Sequence, residues 1–314
     1  MKILGISEGF HDGAVALIDR SGNILHASHS ERYSKIKNDP RIHSDQIVEN
    51  DLVAYYEKPW LKNTRRVLSG QGFKSSRIKY DKSFYHHESH AAAGFYTSPF
   101  DEADVLVIDS IGEWDTISIW KAWCDKGALG KKVPRMKKVK SWKYPYSLGL
   151  FYSAITQRVG LKPNEDEYIL MGMAAYGEPI HDLSDLLYRN NHRGIGQYLP
   201  EAKDVDLAAS AQYLYEKELL KIIDENCKHK NLVFMGGCAL NCLANSKIEN
   251  KNIWIMPNPG DAGSSLGAIA ANNREKLNWT GPYLGENIEG EYPVENLLTY
   301  LKKEGIVGVA NGRA

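Results

Sequence analysis

The chain has 314 residues, and its 39 Lys+Arg balance 39 Asp+Glu, for a formal net charge of zero. That length supports a large core spread over more than one lobe. The bulk balance calls for neither a nucleic-acid backbone nor an anionic membrane and leaves a local basic groove as the alternative, and no apolar run approaches the roughly 20 residues needed to cross a bilayer.

In chain order, MKILGIS (1–7), GAVALID (13–19) and NILHASHSE (23–31) read as strands joined by the polar turns FHDG and RSGN. The opening segment lacks the layout of a signal peptide, so the expectation is a cytoplasmic protein. A helix is predicted from Ser44 to Tyr56. Next comes YHHESHAAAGFY (85–96), in which His86 and His90 stand four apart and so share one helix face, able to grip one metal ion. The zinc-protease spacing fails, because His87-Glu88 would need a histidine at 91, where alanine stands. Histidines satisfied by backbone or solvent are the alternative.

A second set of strands follows: DVLVIDS (104–110), TISIWKAW (116–123) and PRMKKVKSW (134–142). The basic run KKVPRMKKVKSWK (131–143) reads as a solvated strand edge. An offset of 102 lays residues 3–18 over 105–120 with apolar positions coinciding through both strands, which marks an internal duplication. Two similar α/β lobes facing a cleft are the architecture this implies.

The second copy continues with a helix over SLGLFYSAITQRVG (147–160), the glycine-punctuated MGMAAYG (171–177) and a long helix near 206–227. Then come a strand NLVFMGG (231–237), a helix CALNCLANSKI (238–248), a strand NIWIMP (252–257) and a helix DAGSSLGAIAANN (261–273). A strand running through Gly-Gly into a helix suits a phosphate or nucleotide, or serves helix–strand packing alone. The cysteines Cys124, Cys227, Cys238 and Cys242 are too scattered for a disulfide framework. Cys238 and Cys242 lie one turn apart and offer either a metal contact or a buried helix face.

Two histidines need further ligands. Asp109 ends the first strand of the second copy, and Asp261 stands in PNPGDAGSS, where helix capping is its alternative role. Two imidazoles and two carboxylates make a mixed N/O shell suited to iron, manganese or zinc rather than calcium.

The ordered set YHHESHAAAGFY, VIDSIGEWD, MGMAAYG, MGGCALNCLAN and PNPGDAGSSLGAI resembles the O-carbamoyltransferases of the NodU/CmcH type, across nearly the whole chain. The resemblance implies an α/β, duplicated actin-like ATPase (ASKHA, ribonuclease-H-like) fold, with two lobes around a nucleotide and metal cleft. The lobes would span 1–103 and 104–275, with 276–314 a connector leading into a C-terminal carbamoyltransferase domain beyond the final ANGRA. It is similar to the enzyme that makes threonylcarbamoyl-adenosine in tRNA, and implies His86, His90, Asp109 and Asp261 as ligands, with iron favoured over manganese or zinc.

It further implies ATP, accompanied by magnesium, and a carbamoyl-adenylate whose adenosine rests on Gly236, Gly237 and Asn241, with Gly172 and Ser264 also facing the nucleotide. His11 would be the general base toward an acceptor hydroxyl, and Lys37 and Asp109 would face substrate. Carbamoyl phosphate, used through the C-terminal domain, ATP and a sugar-like small molecule are the implied partners, with no membrane and no nucleic acid. The acceptor would be recognised by loops such as 177–200. Ile169 departs from the pattern, since many members carry lysine there. The rival readings are the tRNA-modifying enzyme itself and a non-catalytic ATP-binding clamp with a structural metal.

Overall fold

A computed structural model describes residues 1–73, 78–127, 132–189, 195–309 and 312–313. Part of the expected acceptor loop (190–194), the first residue of the basic run (131) and part of the terminal ANGRA (310, 311 and 314) lie outside the described residues.

β1 (Ile3–Ser7) and β2 (Ala14–Ile18) pair antiparallel from Ile3↔Ile18 to Ser7↔Ala14, and β3 (Ile24–His29) extends the meander. After the short α1 (Glu31–Ser34), β4 (Leu52–Tyr55) joins β1 in parallel, followed by α2 (Pro59–Leu68), β5 (Lys82–Ser83) and α3 (His86–Thr97). The pattern then repeats with β6 (Glu102–Ile108), β7 (Asp115–Lys126) and β8 (Lys132–Lys143). α4 (Leu148–Arg158), α5 (Glu167–Met173), α6 (Ser184–Arg189) and α7 (Asp204–Asn226) lead to β9 (Asn231–Met235), which runs parallel to β6. α8 (Cys242–Asn245), β10 (Asn252–Trp254), α9 (Ser264–Asn273) and α10 (Val294–Glu304) complete the chain.

The sheet orders are β3-β2-β1-β4-β5 and β10-β9-β6-β7-β8. They are one order written twice, and the hairpins superposed by the offset occupy equivalent places. The basic strand β8 is a solvent-facing edge, as its lysines suggested.

The helix expected from Ser44 to Tyr56 is not formed. A 3-10 turn covers Ser44–Gln46, and Leu52–Tyr55 is a strand between β1 and β5. A short apolar run covered on both faces has no alternation to separate strand from helix, and pairing with β1 decides it. The helix expected over 238–248 is also cut short, to a 3-10 turn Gly237–Leu240 and the four residues of α8. Asn241 interrupts it, because its non-helical backbone (φ −75°, ψ 87°) lets the side chain cap the amide of Ala244.

One core lies between the two sheets. β6 sends Val105 and Val107 into it and Leu106 and Ile108 to the opposite face, the two-residue period of a strand buried on both sides. α3 and α9 fill this central layer with Ala91, Ala92, Ala93, Leu266 and Ile269. α9 lies close against both α3 and β1: a Cβ on Gly267 would stand 1.9 Å from the Ser89 carbonyl oxygen, and one on Gly5 1.9 Å from that of Ser265. A second core, under α4, α6 and α7, covers the outer face of the second sheet. Among the described residues no helix is long and apolar enough to cross a membrane.

Candidate active site

The first turn of α3 is fixed from outside the helix. Glu113, in the turn between β6 and β7, accepts the backbone N–H of His86 at 3.0 Å and that of Lys58 at 2.8 Å, satisfying one donor that a helix start leaves free. His86 and His90 then project from one face, and Nε2 of each approaches the other at 3.1 Å. Asp109, just beyond β6, brings Oδ2 to 2.8 Å from His86 Nε2 and 3.5 Å from His90 Nε2. Asp261, in the turn before α9, places Oδ1 3.4 Å from both. One donor atom from each of the four residues lies within 4.8 Å of every other.

Ligands held at about 2.1 Å from one ion stand roughly 3.0–3.4 Å apart, so the spacing and the mixed N/O donor set fit a divalent transition metal. Outer contacts set the ring of His90, whose Nδ1 meets the buried Ser264 hydroxyl at 3.0 Å. Charges agree. Burial alone would lift both carboxyl groups, yet the facing imidazoles hold Asp109 well below the usual range and Asp261 down at about 2. Burial would pull His90 down, but hydrogen bonds to Asp109 and Asp261 push it up to about 9.

A cavity of about 310 Å³ opens beside these groups, lined by His11, Lys37, Asp109, Gly237, Asn241 and Asp261 together with Asp12, Ser110, Tyr152, Tyr168 and Glu167. His11 Nδ1 is engaged by Asp12 Oδ2 at 2.8 Å. Burial pulls this imidazole down, but the Asp12 hydrogen bond and the charges of Asp261, Asp12 and Asp109 push it up to about 9. Lys37 holds its ammonium 5.3 Å from the Tyr168 ring centroid.

Three expected nucleotide contacts are not among the residues lining this cavity. Ser264 is fully buried with its hydroxyl on His90, so it serves the histidine rather than the cavity. Gly236 packs, for at φ 92° a Cβ there would meet the Ile108 carbonyl oxygen at 2.2 Å. Gly172 is not among the described lining residues, which take Tyr168 and Met171 from the same helix. Asn241 reaches the cavity wall, but its amide is already paired with Gln212. Cys238 lines the cavity as well, whereas Cys242 is exposed. Glu113, and Glu57, whose Oε2 lies 4.0 Å from His86 Nδ1 and is paired with Lys62, carry no signal in the local sequence pattern; a strand at 52–55 puts Glu57 just past a strand's C-terminal end, where α/β sites gather.

Solved structures that the chain resembles include the activator of the 2-hydroxyisocaproyl-CoA dehydratase from Clostridium difficile with bound ADPNP, at TM-score 0.52 and 15% identity, covering 87% of this chain and 96% of that one. The Acidaminococcus fermentans (R)-2-hydroxyglutaryl-CoA dehydratase component A follows at TM-score 0.50 and 14% identity, covering 87% and 99%. At that identity the likeness concerns the fold, which is the duplicated actin-like ATPase fold. Within that class, the family described as Carbamoyltransferase N-terminus matches residues 52–199 and 195–270, and the chain belongs to it. An uncharacterized protein of Synechocystis is 31% identical over 98% of the chain and 63% of its own length. Nodulation protein NolNO of Sinorhizobium fredii is 26% identical over 92% of the chain and 51% of its own length. The chain thus spans about half to two thirds of these curated relatives.

Proposed function

We propose that this chain carries the metal and nucleotide cleft of an O-carbamoyltransferase, which passes a carbamoyl group from a carbamoyl-adenylate to a hydroxyl of a small, sugar-like acceptor in the cytoplasm. The observation that carries the reading is the convergence of His86, His90, Asp109 and Asp261 beside a cavity that His11 and Lys37 also line. Family membership supports the carbamoyl chemistry. ATP and carbamoyl phosphate are the proposed sources of the adenylate, and iron the favoured ion, with lobes at 1–103 and 104–275 and a connector over 276–314.

Bound by the four donors, a divalent ion would supply Lewis acidity toward a phosphate or carbamoyl oxygen. The protein's own groups do the rest. Lys37 offers fixed positive charge to phosphate oxygens. Asp12 occupies Nδ1 of His11, which leaves Nε2 to take the acceptor's hydroxyl proton as the oxygen attacks the carbamoyl carbon and adenylate departs with the bonding electrons. His11 is held near 9 in part by Asp109 and Asp261, so neutralising those two charges lowers it toward the uncharged imidazole a base requires.

The test is transfer of labelled carbamoyl phosphate by the full-length gene product, with ATP, to sugar and tRNA acceptors in parallel. Label in a sugar hydroxyl is expected. Label in tRNA alone would move the chain to the tRNA branch, and tight ATP binding with no transfer would make it a non-catalytic clamp.

A further inference from the structure

His86 and His90 differ on the side away from the proposed ion. His90 Nδ1 meets the Ser264 hydroxyl, whereas His86 Nδ1 is buried and has no hydrogen-bond partner among the described residues. A histidine that ligates through Nε2 carries its proton on Nδ1, and that N–H ordinarily donates to an acceptor that fixes the ring. Glu57 is the carboxylate within reach, its Oε2 standing 4.0 Å from His86 Nδ1.

Glu57 stands two residues past the end of β4 and is 4% exposed. Both of its oxygens are held by the ammonium of Lys62 from α2, at 2.8 and 2.7 Å, in a pair that is itself nearly buried. A buried ion pair is poor evidence of stabilisation, since desolvating two charges offsets most of their attraction. Its position suggests another use. Asp109 and Asp261 already match a divalent charge, and a third bare carboxylate would add unbalanced charge at the site; Lys62 cancels it while leaving a lone pair for His86. The ring is otherwise well defined, packed 5.3 Å from the Tyr56 ring and against Gly112, where a Cβ would come 3.1 Å from His86 Cβ and Cδ2.

We infer that Glu57, neutralised by Lys62, is a positioning residue that accepts the Nδ1 proton of His86 and aims its Nε2 at the ion. This rests on the four-residue metal reading above. The 4.0 Å separation is longer than a hydrogen bond, and closing it requires a pivot of the imidazole toward Glu57.

The experiment is a Co²⁺ titration of the metal-free chain, read by the visible spectrum, on wild type and two double variants. Glu57→Leu with Lys62→Met removes both charges and the acceptor; Glu57→Gln with Lys62→Met removes both charges but keeps an acceptor oxygen. The expectation is a Co²⁺ affinity about 10–100-fold weaker for the Leu/Met protein and within about threefold of wild type for Gln/Met. Equal affinity in all three, or equal loss in both variants, overturns the inference. If Leu/Met does not fold, Glu57→Asn with Lys62→Met, which stays uncharged and withdraws the acceptor oxygen by one methylene, replaces it, and binding equal to Gln/Met again overturns the inference. His90→Ala distinguishes the metal site from the role of Glu57: if wild type binds Co²⁺ no better than His90→Ala, the metal reading falls and this inference with it.

Discussion

His11 carries a proton whose fate depends on its neighbours. In the metal-free chain its folded value, about 9, lies above its ordinary 6.5, so its contribution to stability is fully present below 6.5 and is lost as pH rises through 9. Urea melts of the metal-free chain should therefore show stability falling between pH 6.5 and 9, a fall to which His90, also raised to about 9, contributes, and His11→Asn should lessen it; an unchanged profile in the variant contradicts the assignment. A ligand should behave differently from a base. His90→Ala removes one of four donors and is expected to abolish tight metal binding with the fold retained, whereas His11→Ala should keep the metal and slow transfer by on the order of a hundredfold. Metal content and single-turnover rates separate the two.

At the scale of elements, α3 and α9 meet so closely that glycine is required. Propensity alone would reward Gly267→Ala in a helix interior by about 1 kcal/mol. The new methyl group would overlap the Ser89 carbonyl at 1.9 Å, a backbone atom that cannot turn away. Overpacking costs about 1–3 kcal/mol, and an overlap with backbone this deep belongs at the upper end, so after the propensity gain the net effect is a loss of up to about 2 kcal/mol, measurable in denaturant. The far end of α3 is closed by Lys276, whose ammonium donates to the carbonyls of Phe95, Ser98 and Phe100 and sits 3.8 Å from the Phe95 ring centroid. Lys276→Met strips those carbonyls of a charged donor and should cost about 2–3 kcal/mol without changing metal affinity.

Across the whole molecule, the four donors come from α3, the end of β6 and the turn before α9, so an ion there ties together elements packed on both sheets. Metal should accordingly stabilise the chain by about 2.7 kcal/mol at a hundredfold excess over Kd, and the gain should vanish in His90→Ala. A melting temperature indifferent to metal in wild type would count against the site.

The histidine spacing, Asp109 at a strand end, Asp261 before a helix start and the duplicated hairpins were legible because each depends on local pattern: four residues to a helix turn, two to a strand, a polar turn between. β4 was not legible. Leu52–Tyr55 becomes a strand only by pairing with β1, 49 positions earlier from Ile3↔Leu52, and with that strand misread Glu57 had no visible place at the site. Ser264 likewise read as a nucleotide contact until α9 folded against α3 and turned its hydroxyl onto His90. Side-chain types and their local period declare which chemistry a chain can assemble; which outer groups orient it is decided by contacts between segments distant in sequence, and local propensity carries no information about those.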